Sequence, residues 1–503
     1  MGKITVEATR NLLNETSLET YFAPYRENIL GVNQFFETPY GRKPIIYADW
    51  TASGRLYGPI ESRMMEAVGP FVGNTHTETT VTGTAMTQAY HQARHLIKQH
   101  VNAGSEDVLV MTGSGMTGAI SKFQRILGLK APEQIASRLS LTEAERPIVF
   151  VTHMEHHSNH TSWLETLADV ECIMPDEEGR IDLDYLRTLL DRYRHRPLKI
   201  AAVTAGSNVS GVQSCYRKIA RIMHEQGGCC FVDFACAGPY VEIDMHPKDA
   251  MEKLDAIYFS PHKFLGGPGT PGVLVFDSSL YKNRIPDHPG GGTVTWTNPW
   301  GEHAYIENIE VREDGGTPPF LQTIKAALAM QLKAQMGVKN ILKREKEMNG
   351  LIFPALRKIP GLHILADNIE DRLGIFSFYI DGLHYNLGAK LLNDRYGIQV
   401  RGGCSCAGTY GHHLLEISRE RSSQIRSQIE LGINCQKPGW IRMSIHPTMS
   451  NQELQYILSA IHEVAVNHPA WGEDYRYDNR SNEYIHLKQP ISRQAMVDQW
   501  FTI

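Results

Sequence analysis

Short apolar runs that alternate with helical patterns dominate the sequence between residues 107 and 276. The runs are apolar and β-branched along nearly their whole length, which is typical of strands buried on both faces of a parallel sheet. Helical stretches such as Ile181–Tyr193 and Lys218–Gln226 separate them. The alternation predicts an α/β domain with a mostly parallel sheet. The predicted strands are Asp107–Met111, Ile148–Thr152, Lys199–Ala205, Cys229–Asp233, Ala256–Ser260 and Gly272–Phe276.

A looser pattern follows Gly292 and predicts a smaller α+β domain. Residues 317–347 have a helical pattern, and residues 348–465 mix strands with helices. The predicted strands are Gly374–Ile380, Gly397–Arg401 and Trp440–Ile445, and the predicted helices are Leu387–Arg395 and Asn451–Val464. We therefore expect an N-terminal segment packed on the small domain (1–44), a large domain (45–316), a small C-terminal domain (317–469) and a C-terminal tail (470–503).

Length and charge narrow the classes of function. A chain of 503 residues is too long for one ordinary core, which favours more than one domain. The net charge of −5 gives no basic field, so we expect neither nucleic acid nor a membrane as a partner. No apolar run approaches the roughly 18 residues that span a bilayer, and the first twenty residues lack the apolar core of a signal peptide. These features predict a cytoplasmic protein.

The eight cysteines are scattered and do not have the spacing of a disulfide framework. Cys404 and Cys406 lie close together in a Gly-rich segment. A CxC pair with no second cysteine pair nearby is, however, weak evidence for a metal. We therefore predict no metal site.

Ligands of open α/β sheets bind at the carboxyl ends of the strands, so the residues that follow each predicted strand are the candidates for a site. The first strand is followed by a Gly/Ser/Thr loop, Thr112–Thr117, and then by a helix. Backbone N–H groups at such a helix N-terminus can hold a phosphate. The loop lacks the Gly-Lys-Ser/Thr of a P-loop, and a plain turn remains an alternative.

Four histidines lie within the eight residues His153–His160 that follow the second predicted strand. Their number suggests a metal, but the HExxH spacing is absent. A polar loop and a ring stacked on an aromatic ligand are the other interpretations.

The later strands are followed by an amide, an acid and an amine. Asn208 follows the third strand, Asp233 ends the fourth, and Lys263 follows the fifth in a Gly/Pro-rich turn. A carboxylate at the end of an apolar strand is costly unless it is paired, so Asp233 is either salt-bridged for structure or functional. Lys263 is either a surface residue or an amine nucleophile in a cleft.

Taken together, these strand ends supply what pyridoxal 5′-phosphate (PLP) needs. PLP requires a phosphate anchor, a stacking ring, a partner for its phenolic oxygen, an acid at its pyridine nitrogen and a lysine for a Schiff base. Each of these groups follows a strand of one predicted sheet. The sequence therefore predicts a PLP site with Lys263 as the Schiff-base lysine.

The chain also resembles the class V aminotransferase superfamily of fold-type I PLP enzymes, nearest the cysteine desulfurase and selenocysteine lyase group. The resemblance extends from about Tyr47 to about Val464, and it depends on the order and spacing of several motifs together. These are Glu155-His-His-Ser-Asn, Asn208-Val-Ser-Gly, Asp233-Phe-Ala, Ser260-Pro-His-Lys with Gly266-Gly-Pro-Gly, Arg401-Gly-Gly-Cys-Ser-Cys, and Trp440-Ile-Arg-Met-Ser followed by Asn451-Gln-Glu.

The resemblance implies a fold-type I architecture and a role for each matching residue. Lys263 would form the Schiff base, Asp233 would pair with the pyridine nitrogen, and His156 would stack on the ring. The remaining cofactor contacts would come from Asn208 and Cys236 at the phenolic oxygen, from Met116 (N–H), Thr117, Ser260 and His262 at the phosphate, and from Thr317 at the phosphate of a second subunit, which implies a homodimer. The implied substrate contacts are Arg442, at the α-carboxylate, Ala52 and Asn208.

Cys406 resembles the nucleophilic cysteine of desulfurases. Its thiolate would attack the substrate sulfur and leave a persulfide, which implies a sulfur-acceptor protein as a further partner. A buried small residue in a loop is the alternative. Other PLP reactions, namely transamination, epimerisation and β-elimination of cystine or cysteine, need Lys263 but no such thiol. A scaffold without activity is disfavoured by the full set of matching residues.

Several positions depart from the family pattern. Cys236 stands where many members have a glutamine, and Gly118 replaces the usual acid after the phosphate-loop threonine. Cys404 is an extra thiol that would either resolve a persulfide or pack. The segments His412–Lys437 and Ile285–Arg312 are longer than in ordinary desulfurases, which predicts altered access or partners.

Overall fold

The structure is a computed structural model that describes residues 18–488 and 492–502. The described chain forms two compact units. Residues 51–342 form the larger unit, and the residues up to Trp50 together with those from Lys343 onward form the smaller one. Of the expected N-terminal segment 1–44, residues 1–17 lie outside the described residues.

A seven-stranded sheet, mostly parallel as predicted, is the centre of the larger unit. Its strands are β1 (Asp107–Thr112), β2 (Ile148–Thr152), β3 (Asp169–Ile173), β4 (Lys199–Thr204), β5 (Cys229–Asp233), β6 (Ala256–Phe259) and β7 (Gly272–Asp277). They lie in the order β1-β7-β6-β5-β4-β2-β3, and β7 alone runs antiparallel to its two neighbours. The six predicted strands agree with the observed ones to within one residue at either end, and the α/β fold class is confirmed.

Strand β3 was absent from the sequence prediction. It lies at the sheet edge and pairs only with β2 among the described strands. Four of its five residues are half-buried, and Asp169 and Glu171 interrupt the apolar pattern. An edge strand with one solvated face lacks the continuous apolar signal by which the central strands were identified.

Helices cover the sheet and enclose an aromatic core. The Phe231 ring lies 5.0 Å from that of Phe123 in an edge contact and 6.3 Å from that of Trp163, and all three side chains are fully buried. Such pairs add to the burial of apolar area. The helices are Gly58–Arg63, Val81–His100, Met116–Ile126, Glu133–Ala136, His157–Leu164, Leu183–Arg192, Tyr216–Glu225, Ile309–Arg312 and Phe320–Met336, and a hairpin joins Val294–Thr297 to His303–Tyr305.

Helix Phe320–Met336 belongs to the larger unit, whereas the sequence pattern assigned residues from 317 onward to the small domain. Its Lys333 is buried and donates hydrogen bonds to the carbonyls of Gly238 (2.6 Å) and Val241 (2.5 Å), in the loop after β5. The helix is buried along much of its length, and this packing is not visible in a sequence that is helical on both sides of residue 342.

The smaller unit is built on a four-stranded antiparallel sheet. Its strands are β8 (Leu362–Ile364), β9 (Ile375–Ile380), β10 (Arg401–Gly403) and β11 (Trp440–Ser444). They lie in the order β8-β9-β11-β10. The predicted strand Gly397–Arg401 is divided, because Ile398–Gln399 pairs with Ile46–Tyr47 while Arg401–Gly403 pairs with β11. The helices are Glu19–Glu27, Tyr385–Tyr396, Gly408–Leu414, Arg419–Glu430, Asn451–Gly472 and Gln494–Trp500, and Val338–Leu356 spans the division between the units.

Two hairpins complete the smaller unit, Phe35–Thr38 with Gly41–Pro44 and Tyr475–Asp478 with Glu483–His486. The N-terminal helix is tied to helix Asn451–Gly472 by an ion pair between Arg26 and Glu453 at 2.7 Å. Among the described residues, no helix is both long enough and apolar enough to cross a bilayer.

Replacing Lys333 by Met should flatten the dependence of stability on pH. Burial lowers the pKa of Lys333 to about 7, with Glu242 opposing and His100 3.4 Å from its Nζ. A lysine whose pKa is lower in the folded state makes the protein more stable as pH rises from about 7 towards 10. Between pH 7 and 9 this contribution is about 2 kcal/mol.

The measurement is denaturant unfolding at both pH values, with exposed Lys339→Met as the matched control. The control should keep the wild-type change in stability between the two pH values. If Lys333→Met keeps it as well, Lys333 does not titrate in this range.

Candidate active site

The loop after β1 and the turn after β6 meet. The backbone N–H of Met116 donates to Ser260 Oγ at 2.8 Å, and the His262 ring lies 3.1 Å from the carbonyl of Ser114. Gly115 is required by this approach, because a Cβ atom there would lie 2.8 Å from His262 Cε1. The predicted phosphate residues of both segments are therefore brought together at the N-terminus of helix Met116–Ile126.

A third segment joins this group at the start of helix His157–Leu164. The hydroxyls of Thr117 and Ser158 lie 2.7 Å apart, and the N–H of Ser158 donates to Nδ1 of His156 at 3.1 Å. That bond caps the helix and fixes the orientation of the His156 ring. Ser158 was not selected from the sequence, although it lies within the motif that contains His156.

Asp233 is buried at the end of β5, with 3% of its surface exposed. It accepts a hydrogen bond from the N–H of Ala235 at 2.7 Å. Burial raises the pKa of Asp233 to about 6, while the Ala235 N–H and the positive charge of Lys263 act to lower it. Lys263 lies on the turn Pro261–Lys263 and is half-buried. The structure thus brings the predicted amine and acid within electrostatic reach of each other.

A second buried carboxyl group, Glu155, lies at the neighbouring strand ends. It accepts hydrogen bonds from the Thr152 hydroxyl (2.6 Å), the Asn159 amide (2.7 Å) and the Thr204 N–H (2.9 Å). Burial raises its pKa to about 8, and the charge of Asp233 contributes in the same direction. In the sequence, Glu155 stood out only as the first residue of the Glu155-His-His-Ser-Asn motif. Its hydrogen bonds to Thr152 and Thr204 connect the ends of β2 and β4.

The segment that follows residue 50 passes beside the Lys263 turn. The N–H of Gly54 donates to the His262 carbonyl at 2.9 Å, and a Cβ on Gly54 would lie 2.0 Å from the carbonyl oxygen of Phe264. Thr51, next to Ala52, lies 3.6 Å from the buried Cys236 thiol. Cys236 donates to the Ser207 carbonyl, in the segment that carries the buried Asn208.

Thr317 lies on a cavity of about 650 Å³ that extends from Thr112 and Gly113. The cavity wall includes Lys122, which is buried and paired with Glu313 at 2.8 Å. The cavity therefore lies between the Thr112–Thr117 loop and Thr317 of the same chain.

In the His153–His160 segment, the structure places two of the four histidine rings against backbone groups. His153 lies 3.2 Å from the carbonyl of Gly179, and His156 caps a helix. Within residues 18–488 and 492–502, no group of three or more His, Cys, Asp or Glu side chains is placed to hold a metal ion.

In the smaller unit, Arg442 is buried and Arg401 lies directly opposite it on the neighbouring strand. Like charges in this position repel each other. Asp49 lies against both, with one carboxylate oxygen 2.6 Å from Arg442 Nη2 and the other 3.1 Å from Arg401 Nε. The two cations thus share the carboxylate of Asp49. Asp49 was not predicted, because nothing in its local sequence indicates these distant partners.

Cys404 and Cys406 lie in a tight turn that follows β10. The N–H of Ala407 donates to the Cys404 carbonyl at 3.1 Å, and both central residues are left-handed, Ser405 with φ of 52° and Cys406 with φ of 56°. The buried Trp440 donates from Nε1 to the Ser405 hydroxyl at 3.2 Å. Cys406 is exposed, contrary to the alternative of a buried packing residue, and Cys404 is half-buried.

The sequence model of the family described as "Aminotransferase class-V" matches residues 46–457, most of the chain. The chain belongs to the aminotransferase class-V family. This confirms the resemblance, and the class-V chain is similar to curated proteins over about three quarters of its length. It is 27% identical over 376 residues to a probable cysteine desulfurase of Staphylococcus epidermidis, which covers 74% of this chain and 85% of that protein. It is 25% identical over 371 residues to a cysteine desulfurase of Haloferax volcanii, which covers 72% and 81%.

Solved structures show the same fold. The apo structure of a cysteine desulfurase from Thermococcus onnurineus NA1 superposes with a TM-score of 0.69 at 22% identity, covering 88% of this chain and 98% of that one. This similarity agrees with the fold-type I architecture expected for a class-V protein.

Replacing Asp49 by Asn should destabilise the protein by about 3 kcal/mol, because it removes the negative charge that lies 2.6 Å from the buried guanidinium of Arg442. The substitution keeps the size of the side chain, so lost packing does not contribute. Chemical denaturation measures the difference, and Asp381→Asn is the control because it breaks an exposed pair with His363. The control should change stability by less than about 1 kcal/mol. Equal effects of the two variants would mean that Asp49 does not hold the two arginines.

Proposed function

We propose that the protein is a PLP-dependent enzyme that removes sulfur, or selenium, from an amino acid of the cysteine type. The observation that carries this proposal is the buried Asp233 within electrostatic reach of Lys263, beside a loop rich in phosphate donors. The exposed Cys406 favours desulfuration over the other reactions of the family. The relatives named above as cysteine desulfurases support the same choice.

The donors present fit a phosphorylated pyridine. The hydroxyls of Thr117 and Ser260, the ring of His262 and the N–H of Met116 would hold the phosphate at the helix N-terminus, where the dipole favours an anion. Ser158, bonded to Thr117, extends this donor set. His156 would stack on the ring, and Asn208 with Cys236 would face the phenolic oxygen.

Bound PLP supplies an electron sink that stabilises negative charge at the substrate α carbon. Lys263 Nζ would hold the cofactor covalently and, once released by the substrate, carry a proton to or from that carbon. Asp233 would accept a hydrogen bond from the pyridine nitrogen. Because its pKa is about 6, the carboxylate is ionised at neutral pH and able to hold that proton on the ring.

Arg442 would bind the substrate carboxylate, and Ala52 and Asn208 would contact the substrate. A guanidinium suits a carboxylate because it can donate two parallel hydrogen bonds. Asp49 holds Arg442 in place and also pairs with Arg401 on the neighbouring strand.

Cys406 would act as the nucleophile toward sulfur. Its thiolate forms a bond to the substrate sulfur, the carbon–sulfur bond breaks, and its electron pair remains with carbon, which takes up a proton. The products are alanine and a Cys406 persulfide.

We also propose a homodimer in which Thr317 contacts the cofactor phosphate of the second subunit, and a protein that accepts the sulfur. Both proposals rest on the resemblance to the cysteine desulfurase group described above.

The purified protein should be yellow, and Lys263→Ala should lose the visible absorption band because no amine remains to hold the cofactor. Lys282→Ala, which changes an exposed lysine, is the control and should keep the band. The measurement is an absorption spectrum after addition of PLP and gel filtration. An unchanged spectrum in Lys263→Ala would refute the assignment of the lysine.

Cys406→Ser should keep the colour but lose persulfide formation by at least a hundredfold, since a hydroxyl does not accept sulfur. Alanine and protein-bound sulfur are measured after addition of cysteine or selenocysteine. The exposed Cys435→Ser is the matched control and should retain both products. Sulfide with pyruvate, at the wild-type rate in Cys406→Ser, would indicate β-elimination instead.

A further inference from the structure

We propose that Cys404 is a second sulfur carrier, which takes the sulfane sulfur from Cys406 before it leaves the enzyme. This inference rests on the proposed desulfuration at Cys406. The observation that carries it is the pair of free thiols in one closed turn, one exposed and the other half-buried.

The turn brings the two cysteines close. The hydrogen bond from Ala407 to Cys404 closes it, and the left-handed Ser405 and Cys406 fold the chain back on itself. Two Cα atoms two residues apart in such a turn are separated by about 5–7 Å. Cysteine sulfurs can approach bonding distance when their Cα atoms are about 4.4–6.8 Å apart. The Cα spacing of this turn is therefore within the range that allows sulfur transfer between the two side chains.

The turn is also held in place. The fully buried Trp440 donates its indole N–H to Ser405, the residue between the two cysteines. Left-handed backbone at two non-glycine residues is unfavourable unless the surrounding structure holds it. The indole bond and the neighbouring strand β11 maintain this conformation, so the spacing of the thiols is set before any sulfur arrives.

The two thiols differ in their surroundings. Cys406 is exposed, as a residue that must meet a substrate requires, whereas Cys404 is half-buried and close enough to Tyr385 to affect the pKa of that phenol. A persulfide on Cys404 would be less accessible to small thiols and oxidants than one on Cys406.

Three thiols of the larger unit are unsuited to such a role, namely the half-buried Cys172 and Cys229 and the buried Cys230. Burial raises the pKa values of Cys172 and Cys229 to about 12, and that of Cys230 is also raised. These thiols remain protonated at neutral pH, and only a thiolate attacks sulfur.

The transfer balances without a further reagent. The Cys404 thiolate attacks the outer sulfur of the Cys406 persulfide, a new sulfur–sulfur bond forms, and the old one breaks with its electron pair on Cys406 Sγ. The proton of the persulfide stays with the outer sulfur. Cys406 is again a thiolate, and Cys404 carries the sulfur.

The test locates the sulfur after one turnover. PLP-loaded enzyme receives one equivalent of cysteine, samples are quenched with iodoacetamide over time, and fragmentation of the peptide after Arg401 distinguishes Cys404 from Cys406. In the wild type we expect the sulfur on Cys406 first and at least half of it on Cys404 later. In Cys404→Ser all of it should stay on Cys406 and be removed several-fold faster by a small thiol. Cys404→Ala, with the visible band as a check of folding, is the second variant.

The outcomes separate the two proposals. Sulfur that stays on Cys406 in the wild type overturns the relay and leaves the desulfuration standing. A Cys404–Cys406 disulfide with free sulfide also overturns it, because the thiolate has then attacked the inner sulfur. Sulfur on Cys404 in Cys406→Ser overturns the proposed nucleophile, and with it the relay. The absence of protein-bound sulfur in every variant overturns the desulfuration itself. Cys435→Ser should behave as the wild type.

Discussion

A carboxylate buried at the end of an apolar strand is the constraint on which the larger unit depends. Asp233 is almost fully buried and accepts a hydrogen bond from the N–H of Ala235. The cost of burying a charge is met by pairing it. Lys263, on the turn after β6, lies near enough for its charge to lower the pKa of Asp233, and a protonated pyridine nitrogen would complete the pairing. The fold positions these groups because β5 and β6 are adjacent and parallel.

In the smaller unit, too, buried charges are paired with opposite charges. Strands β10 and β11 place Arg401 and Arg442 opposite each other, and Asp49 makes this register tolerable. Arg442 on β11 is the proposed contact of the substrate carboxylate. The neighbouring strand β10 carries Arg401 and leads directly into the turn that contains the proposed nucleophile Cys406.

The sequence was sufficient for the central strands and for the residues that follow them, because strands buried on both faces have an unbroken apolar signal. It was insufficient for β3, whose polar face breaks that signal, and for the position of helix Phe320–Met336, which depends on long-range packing. Asp49 and Ser158 were missed for a related reason. The sequence around each of them shows only an ordinary polar residue. Each is recognised as part of the site by a contact with a residue distant in sequence, Asp49 with Arg442 and Ser158 with Thr117.

The most direct measurement of the pairing at Asp233 is the protonation state of the cofactor nitrogen. PLP labelled with ¹⁵N at the pyridine position is bound to the wild type and to Asp233→Ala, and the nitrogen chemical shift is recorded at neutral pH. A protonated nitrogen is predicted in the wild type and an unprotonated one in the variant, because only the buried carboxylate stabilises the positive charge. An unprotonated nitrogen in the wild type, or the same shift in both proteins, would contradict the assignment of Asp233 and the site built around it.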